Sequence, residues 1–520
     1  MQRNILSAAV SIACAGLATQ AFALSPSDLN SATTSIVRIS GSSATTNQLI
    51  AFAQNNCVSG SLAQLTTSDP SNFALLCTPD TSKIAGLAHS NLVIVKNGSS
   101  VADLSALASK TGYPFLDVFN SAFKGGCGSA TAVPATSEYL DPTNPGGGTR
   151  IALPGYNKYT CPLTLTSAAA PDMGISDVEP TMLVSAGAVY GVTGTQLSAL
   201  HNALLNVVVF GIPVTLELRD AMQAAQIASG TLPSSCAVGD ETEQCMPTLN
   251  HQQINSIFTG NAVDWSEFGL TNPSGDNNIY IVRRIDASGT QTAAKIFFLN
   301  TPCATGLITF MPSSDGESST AANACSFATP PAGTSTVHEG STASDVQICL
   351  QNHNANHRWA VGLMSVQTPA VGDANTDMRF IKIDGVSPTN LNVALGRYGF
   401  WTEATLNYTG TPSGDVGRMI TALTAGFSNP VVLRSVNTKF LLTNLLSTSA
   451  EPWAAGVMAP SLLVSPGSVP LINTGNLQTD LANVYTTPVN FYTRAITGSP
   501  NSCQPPSTYF ATGTLSNNPK

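Results

Sequence analysis

The chain is poor in charge. Asp, Glu, Lys and Arg make up 10% of its 520 residues, against about 25% in an average domain. The 21 basic residues face 30 acidic ones, for a net charge of −9. So few Lys and Arg on an acidic chain argue against nucleic acid and anionic membrane as partners. A small anion stays open, because such a site is built locally from dipoles and one or two charges. Cys-x-x-Cys does not occur, which weakens a zinc or thioredoxin-like reading. Gly-x-Ser-x-Gly is also missing, so a serine hydrolase using Ser43 or Ser288 would lack its nucleophile elbow. No run beyond the N-terminal segment reaches the roughly 18 apolar residues of a membrane span. The nearest, "LLNVVVFGIPVTLEL", is interrupted by Gly211 and Pro213. Neither a repeat nor a heptad pattern is present, and no cofactor motif stands out.

What is present begins with the first 23 residues. One Arg, the apolar run "ILSAAVSIACAGLA" and an A-x-A signal at "AFA" read as a secretory signal peptide over residues 1–23. The mature chain is therefore expected to be exported, to the periplasm or beyond the cell. Of the 11 cysteines, Cys14 lies in that segment. The remaining even set suggests up to five disulfides. Cys57/Cys77, Cys236/Cys245 and Cys303/Cys325 are natural local pairs, but spacing leaves the connectivity open.

About 500 mature residues are too many for one compact core. Strands of β-branched residues alternate with Ala/Leu-rich helical stretches, the α/β pattern. Gly-, Pro-, Ser- and Thr-rich tracts at 125–150, 329–345 and after Thr497 read as surface loops or insertions. "HNANH" offers His353 and His357 at helical spacing for a metal. Its Asn-rich flanks read as a loop, and no further ligands cluster in sequence, so both histidines are expected to be solvated and no metal is assigned.

The chemistry gathers in four turns. "NIYIVRR" reads as a buried strand and "QTAAKIFFLN" as a helix, so "DASGT" between them is a strand-to-helix turn. The N–H groups of such a helix start lack intrahelical partners and favour an anion. "SIVRIS" leads through "GSSATT" into a helix near Thr45. "NLVIVK" leads through "NGSS", with Ser99, into a helix near Val101. "PDMGISDVEPTML" places Asp177 in a Gly/Ser turn before another helical run. Ser and Thr hydroxyls add donors, and Arg284 adds a planar fork suited to oxyanions. Asp286 lies two residues on and could hold that guanidinium. Asp177 would repel an anion unless the ligand carries a proton that its carboxylate can accept. Phosphate near neutral pH has such a proton and sulfate has none.

These turns resemble the phosphate-binding proteins of bacterial ABC phosphate importers, within the type II periplasmic binding protein fold. "RRIDASGT" matches that family's R-x-D-x-S-G-T signature. "GSSATT" resembles its G-x-G-A-T-F turn, with Ser43 for the second Gly and Thr46 for the aromatic. "NGSS" and "GISD" resemble its Ser and Asp turns, and "HQQINSIFTGNAVDWSEFG" its I-F-x-G…W helix. The resemblance implies two α/β lobes joined by a double crossover, with a ligand cleft between them. Lobe I would hold 24–210, with an insertion at about 110–170, and would resume at 396–520; lobe II would hold 211–395. It further implies a phosphate site made of Thr45, Thr46, Ser99, Asp177, Arg284, Ser288, Gly289 and Thr290, with Asp286 behind Arg284. Inorganic phosphate or a related oxyanion would be the ligand of a monomeric, non-catalytic protein, and an ABC importer its membrane partner. The alternative is a secreted or surface protein that keeps the fold for another ligand or an adhesive role.

Overall fold

The computed structural model describes residues 24–508, apart from 70, 99–103, 136–152, 186–191, 305, 307, 315–316, 319–324, 326–330, 368–376, 440–455, 462–487 and 496–498. The signal-peptide reading and Ser99 fall outside the described residues. In chain order the elements that build the site are β1 (Thr34–Gly41), α1 (Thr46–Asn56), β2 (Ala63–Thr66), β3 (Phe73–Cys77), β4 (Asn91–Asn97), β5 (Tyr156–Thr160), β6 (Met173–Ser176), α2 (Pro180–Ser185), β7 (Leu200–Thr215), α3 (His251–Phe258), β8 (Tyr280–Arg284), α4 (Gly289–Leu299), β9 (Thr336–Gly340), α5 (Ala343–Ala355), β10 (Ala360–Gly362), β11 (Met378–Ile383) and β12 (Trp401–Thr409).

They form an α/β architecture of two mixed sheets. In the first, β1 lies parallel to β4 and to β6. β3 pairs antiparallel with β4 and β2, and β2 lies parallel to β5. β12 closes on β6 and on the first part of β7, antiparallel to both. In the second sheet, β8 lies parallel to β9 and β10. The end of β7 joins it, antiparallel to β10 and β11.

The sequence of β7 explains this division. Its continuous apolar run is buried from Leu204 to Thr215, as expected of a strand covered on both faces. Leu200–Val209 pair with β12 in the first sheet, and Ile212–Thr215 pair with β11 in the second. One strand thus serves two sheets, and the step falls at Gly211. A Cβ there would lie 2.8 Å from the Phe380 ring and 2.9 Å from Val366, so only glycine lets the two sheets approach. The run that comes nearest to a membrane span is this strand. Among the described residues no helix is long and apolar enough to cross a membrane.

The tract at 329–345 departs from the expected loop. Its described part forms β9, a short turn and the start of α5. "TVHEG" alternates weakly, yet β9 pairs with β8 along its whole length, so tertiary pairing overrides a weak local signal. The proposed insertion contains strands of its own, with Tyr113–Leu116 against Thr166–Ala169 and Thr131–Val133 against β5.

The disulfides are Cys57–Cys77, Cys127–Cys161, Cys236–Cys245, Cys303–Cys503 and Cys325–Cys349. The pairing Cys303/Cys325 is therefore corrected. Ser502 caps Glu179 with its N–H and hydroxyl, both at 2.6 Å. That contact anchors the tail ahead of α2 and delivers Cys503 to Cys303 across 200 residues.

Candidate functional site

The turn after β1 begins at Gly41, whose φ of +123° only glycine adopts freely. A Cβ there would meet the Ile175 carbonyl oxygen at 2.0 Å. The close approach puts the Ser42 N–H on Ile175 O at 2.7 Å and aligns this turn with the Asp177 turn after β6. The buried Lys96 ammonium donates to Gly41 O at 3.0 Å, tying β4 to the same corner. Ser42 Oγ donates to Asp177 Oδ1. It also accepts from the Ala44 N–H at 3.0 Å.

The second sheet meets this corner directly. Thr290 Oγ1, in the first turn of α4, donates to Asp177 Oδ2 at 3.1 Å. Arg284 Nη1, at the end of β8, donates to Ser43 Oγ at 3.2 Å. Both contacts join residues that the sequence places far apart, and both cross from one sheet to the other. Asp177 and Arg284 are 1% and 2% exposed. Burial pushes the Asp177 carboxyl above its ordinary range, against the bonds from Ser42 and Thr290 and the charges of Arg284 and Lys96. Burial lowers Arg284 to about 10, and the nearby Asp177 and Asp345 oppose that shift. A charge taken out of water this completely needs hydrogen-bonded partners.

Of the expected residues, Thr45, Asp177, Arg284, Ser288 and Thr290 are buried, as is Gly289. Thr45 Oγ1 donates to Ser42 O at 3.1 Å, so its hydroxyl shapes the turn. Thr46 starts α1 and faces the cleft. Ser288 is the N-cap of α4 and makes no side-chain cap bond. The first amides of that helix therefore carry no capping hydroxyl, which leaves the helix end suited to an anion.

Asp286 does not hold Arg284. Its carboxylate lies 3.4 Å from Arg283 and 2.7 Å from Lys295. Strand alternation would put Asp286 on the face of Arg284, but the strand ends at Arg284, and the turn that follows brings Asp286 to Arg283 instead. The guanidinium of Arg284 is held instead by carbonyls, with Nε on Gly340 O at 3.1 Å and Nη2 on Ser341 O at 2.5 Å. These belong to the turn before α5. There Thr342 and Asp345 form a capping box, and Asp345 accepts from Ser341 Oγ at 2.8 Å.

Sequence reasoning missed Ser42, which shares Asp177 with Thr290, and the 340–342 turn. "GSTASD" carries a hydroxyl, a cap and an acid three residues on, a capping-box signal that could have found it. It also missed Gln291, which is completely buried with no hydrogen-bond partner for either amide atom among the described residues.

Beside this cluster lies a cavity of about 670 Å³, with walls from both sheets. Ser43, Thr46 and Gln64 come from the first side, and Thr342, Ser344 and Gln347 from the N-cap and first turns of α5 on the second.

His353 is not solvated. "HNANH" ends α5, and His353 is 1% exposed, its ring 4.7 Å from Tyr280 and 4.9 Å from His338. Cys325, His338 and His353 bring ligand-type atoms within 4.8 Å of one another, but the Cys325 sulfur is bonded to Cys349. His357, past the helix, is exposed and lies 2.8 Å from Glu217.

No protein-family model matches the chain, and no curated protein does. Solved structures are similar over most of it. A putative phosphate ABC transporter substrate-binding protein with bound phosphate from Clostridium perfringens shows 13% identity and a TM-score of 0.39. It covers 79% of this chain and 99% of its own. An ABC-type phosphate transport receptor from Vibrio cholerae shows 12% identity and a TM-score of 0.34, covering 75% and 93%. PstS from Borrelia burgdorferi shows 10% identity and a TM-score of 0.33, covering 78% and 96%. Likeness this distant leaves the chemistry to be read from the residues of this chain.

Proposed function

We propose that the protein is an exported solute-binding protein that captures phosphate between two lobes. Lobe I would comprise 24–210 and 396–520, and lobe II 211–395. The observation that carries the reading is reciprocal contact across the cleft: Asp177 of the first sheet takes a hydroxyl from Thr290 of the second, and Arg284 of the second reaches Ser43 of the first. A protonated oxyanion has the donors and acceptors to stand between these partners. Arg284, the Ser288 hydroxyl and the α4 amides of Gly289 and Thr290 would take the charged oxygens. Thr45, Thr46 at the start of α1 and Ser99 would contribute further donors. Asp177 would take the ligand proton, which excludes sulfate. Such a ligand bridges both lobes and favours their closure. Binding alone is proposed, with delivery to an ABC importer as its use.

Calorimetry on ligand-stripped mature protein tests this. Phosphate should bind where sulfate does not. Arg284→Ala should weaken phosphate by about 100-fold or more, the loss of a buried charged partner costing roughly 3 kcal/mol. Asp177→Asn should narrow the gap between the two anions. No heat with either anion from folded protein would remove the reading.

A further inference from the structure

The cavity is far larger than a phosphate needs. About 670 Å³ falls within the roughly 300–1,000 Å³ of pockets that enclose organic ligands. Its walls are also chemically selective. Hydroxyls of Ser43, Thr46 and Thr342 and amides of Gln64 and Gln347 line it; Lys158 is its one charged residue, and no carboxylate lines it among the described residues. Hydroxyls and amides both donate and accept, as a polyol does. The absence of carboxylates and the single Lys suit a ligand with negative charge.

The cavity adjoins the Arg284 cluster at two points. Ser43 lines it and accepts from Arg284. On the other wall Thr342 follows Ser341, whose carbonyl takes the same guanidinium. Another part of the wall comes from Val133, Tyr156, Lys158 and Thr160, which lie in sequence between Ser99 and Asp177. Thr46, standing where the resembled family has an aromatic, leaves this side open.

We infer that the ligand of this cleft is a phosphate monoester of a sugar or polyol. Its phosphoryl group is held at Arg284 and its hydroxylated part lies in the cavity walled by Val133, Tyr156, Lys158 and Thr160. This rests on the phosphate reading above and names the class of substituent. Lys158 and Gln347 line the cavity that takes the hydroxylated part and are not among the residues assigned to the phosphoryl group.

The test is calorimetry with inorganic phosphate, glycerol 3-phosphate, glucose 6-phosphate and free glucose. Proteins are the full mature chain and its Lys158→Ala, Gln347→Ala and Arg284→Ala variants. At least one ester should bind about tenfold or more tighter than inorganic phosphate. Lys158→Ala and Gln347→Ala should remove that advantage and leave inorganic phosphate binding unchanged, while Arg284→Ala should abolish both. Phosphate binding that no ester shares or competes with would overturn this inference and leave the phosphate reading standing. Equal losses for ester and phosphate in Lys158→Ala and Gln347→Ala would also overturn it. Absence of binding by every phosphorylated probe would overturn both.

Discussion

Two buried polar clusters sit on the same pair of strands, and they are built differently. At the ends of β8 and β9, where Arg284 pairs with Gly340, the polar groups reach across to the other sheet. Two residues earlier, where Val282 pairs with His338, the ring of His353 packs back from α5 against Tyr280 and His338. The first cluster joins two sheets and adjoins a polar cavity. The second stays within one sheet and its helix, next to the Cys325–Cys349 bond. Burial is the same in both, so burial alone does not distinguish them; reach across to the other sheet does.

The contrast is broken most severely at Gly41. Gly41→Ala forces a side chain onto the Ile175 carbonyl at a left-handed backbone angle. It should cost about 3 kcal/mol or more. Chemical denaturation would read the loss. Phosphate affinity should fall with it, because Ser42 and Ser43 follow directly.

The pH dependence separates the clusters by sign. Burial, then His338 and Arg358, hold His353 well below its ordinary 6.5. The unfolded chain then binds more protons as pH falls below 6.5, and stability is lost in that direction. Asp177 is shifted upward from 3.8, so the folded state keeps a proton that the unfolded chain has released. That contribution is complete at low pH and disappears as pH rises from 3.8 through the folded value. Urea denaturation from about pH 4 to about pH 8 should therefore show His353→Leu flattening the acid-side fall. Asp177→Asn should instead flatten the decline on the other side. Parallel profiles for both variants would show that the clusters do not differ in this way.

Asp286→Ala should matter least. The side chain is 59% exposed and pairs with Arg283 and Lys295, so a loss of about 0.5 kcal/mol or less is expected. Phosphate affinity measured by calorimetry should not change. A large fall would return Asp286 to Arg284 and blur the line between the neighbouring arginines.

Much of the candidate site was legible because strand-turn-helix units are local. "NIYIVRR" followed by "DASGT" is a β-branched run, a turn and a helix start within 20 residues, and β8 and α4 form there. The same holds for "SIVRIS" and "GSSATT". The cap at Thr342 was local too, but it lay in a Gly/Ser/Thr-rich tract whose composition hid it. The pairing Cys303–Cys503 was not local in any sense, nor was the partner of Arg284, since backbone carbonyls leave no mark in a sequence.

The sequence by itself determined the alternation of strands and helices, the hydroxyl-rich turns and the scarcity of charge. Each depends on side-chain periodicity, backbone preference or composition within a few residues. Only the tertiary structure decided that β7 would serve two sheets, that Ser42 and Thr290 would share Asp177, and that Val133, Tyr156, Lys158 and Thr160 would wall a cavity. Those outcomes depend on which surfaces pack together, a property of burial over the whole chain that no short stretch contains.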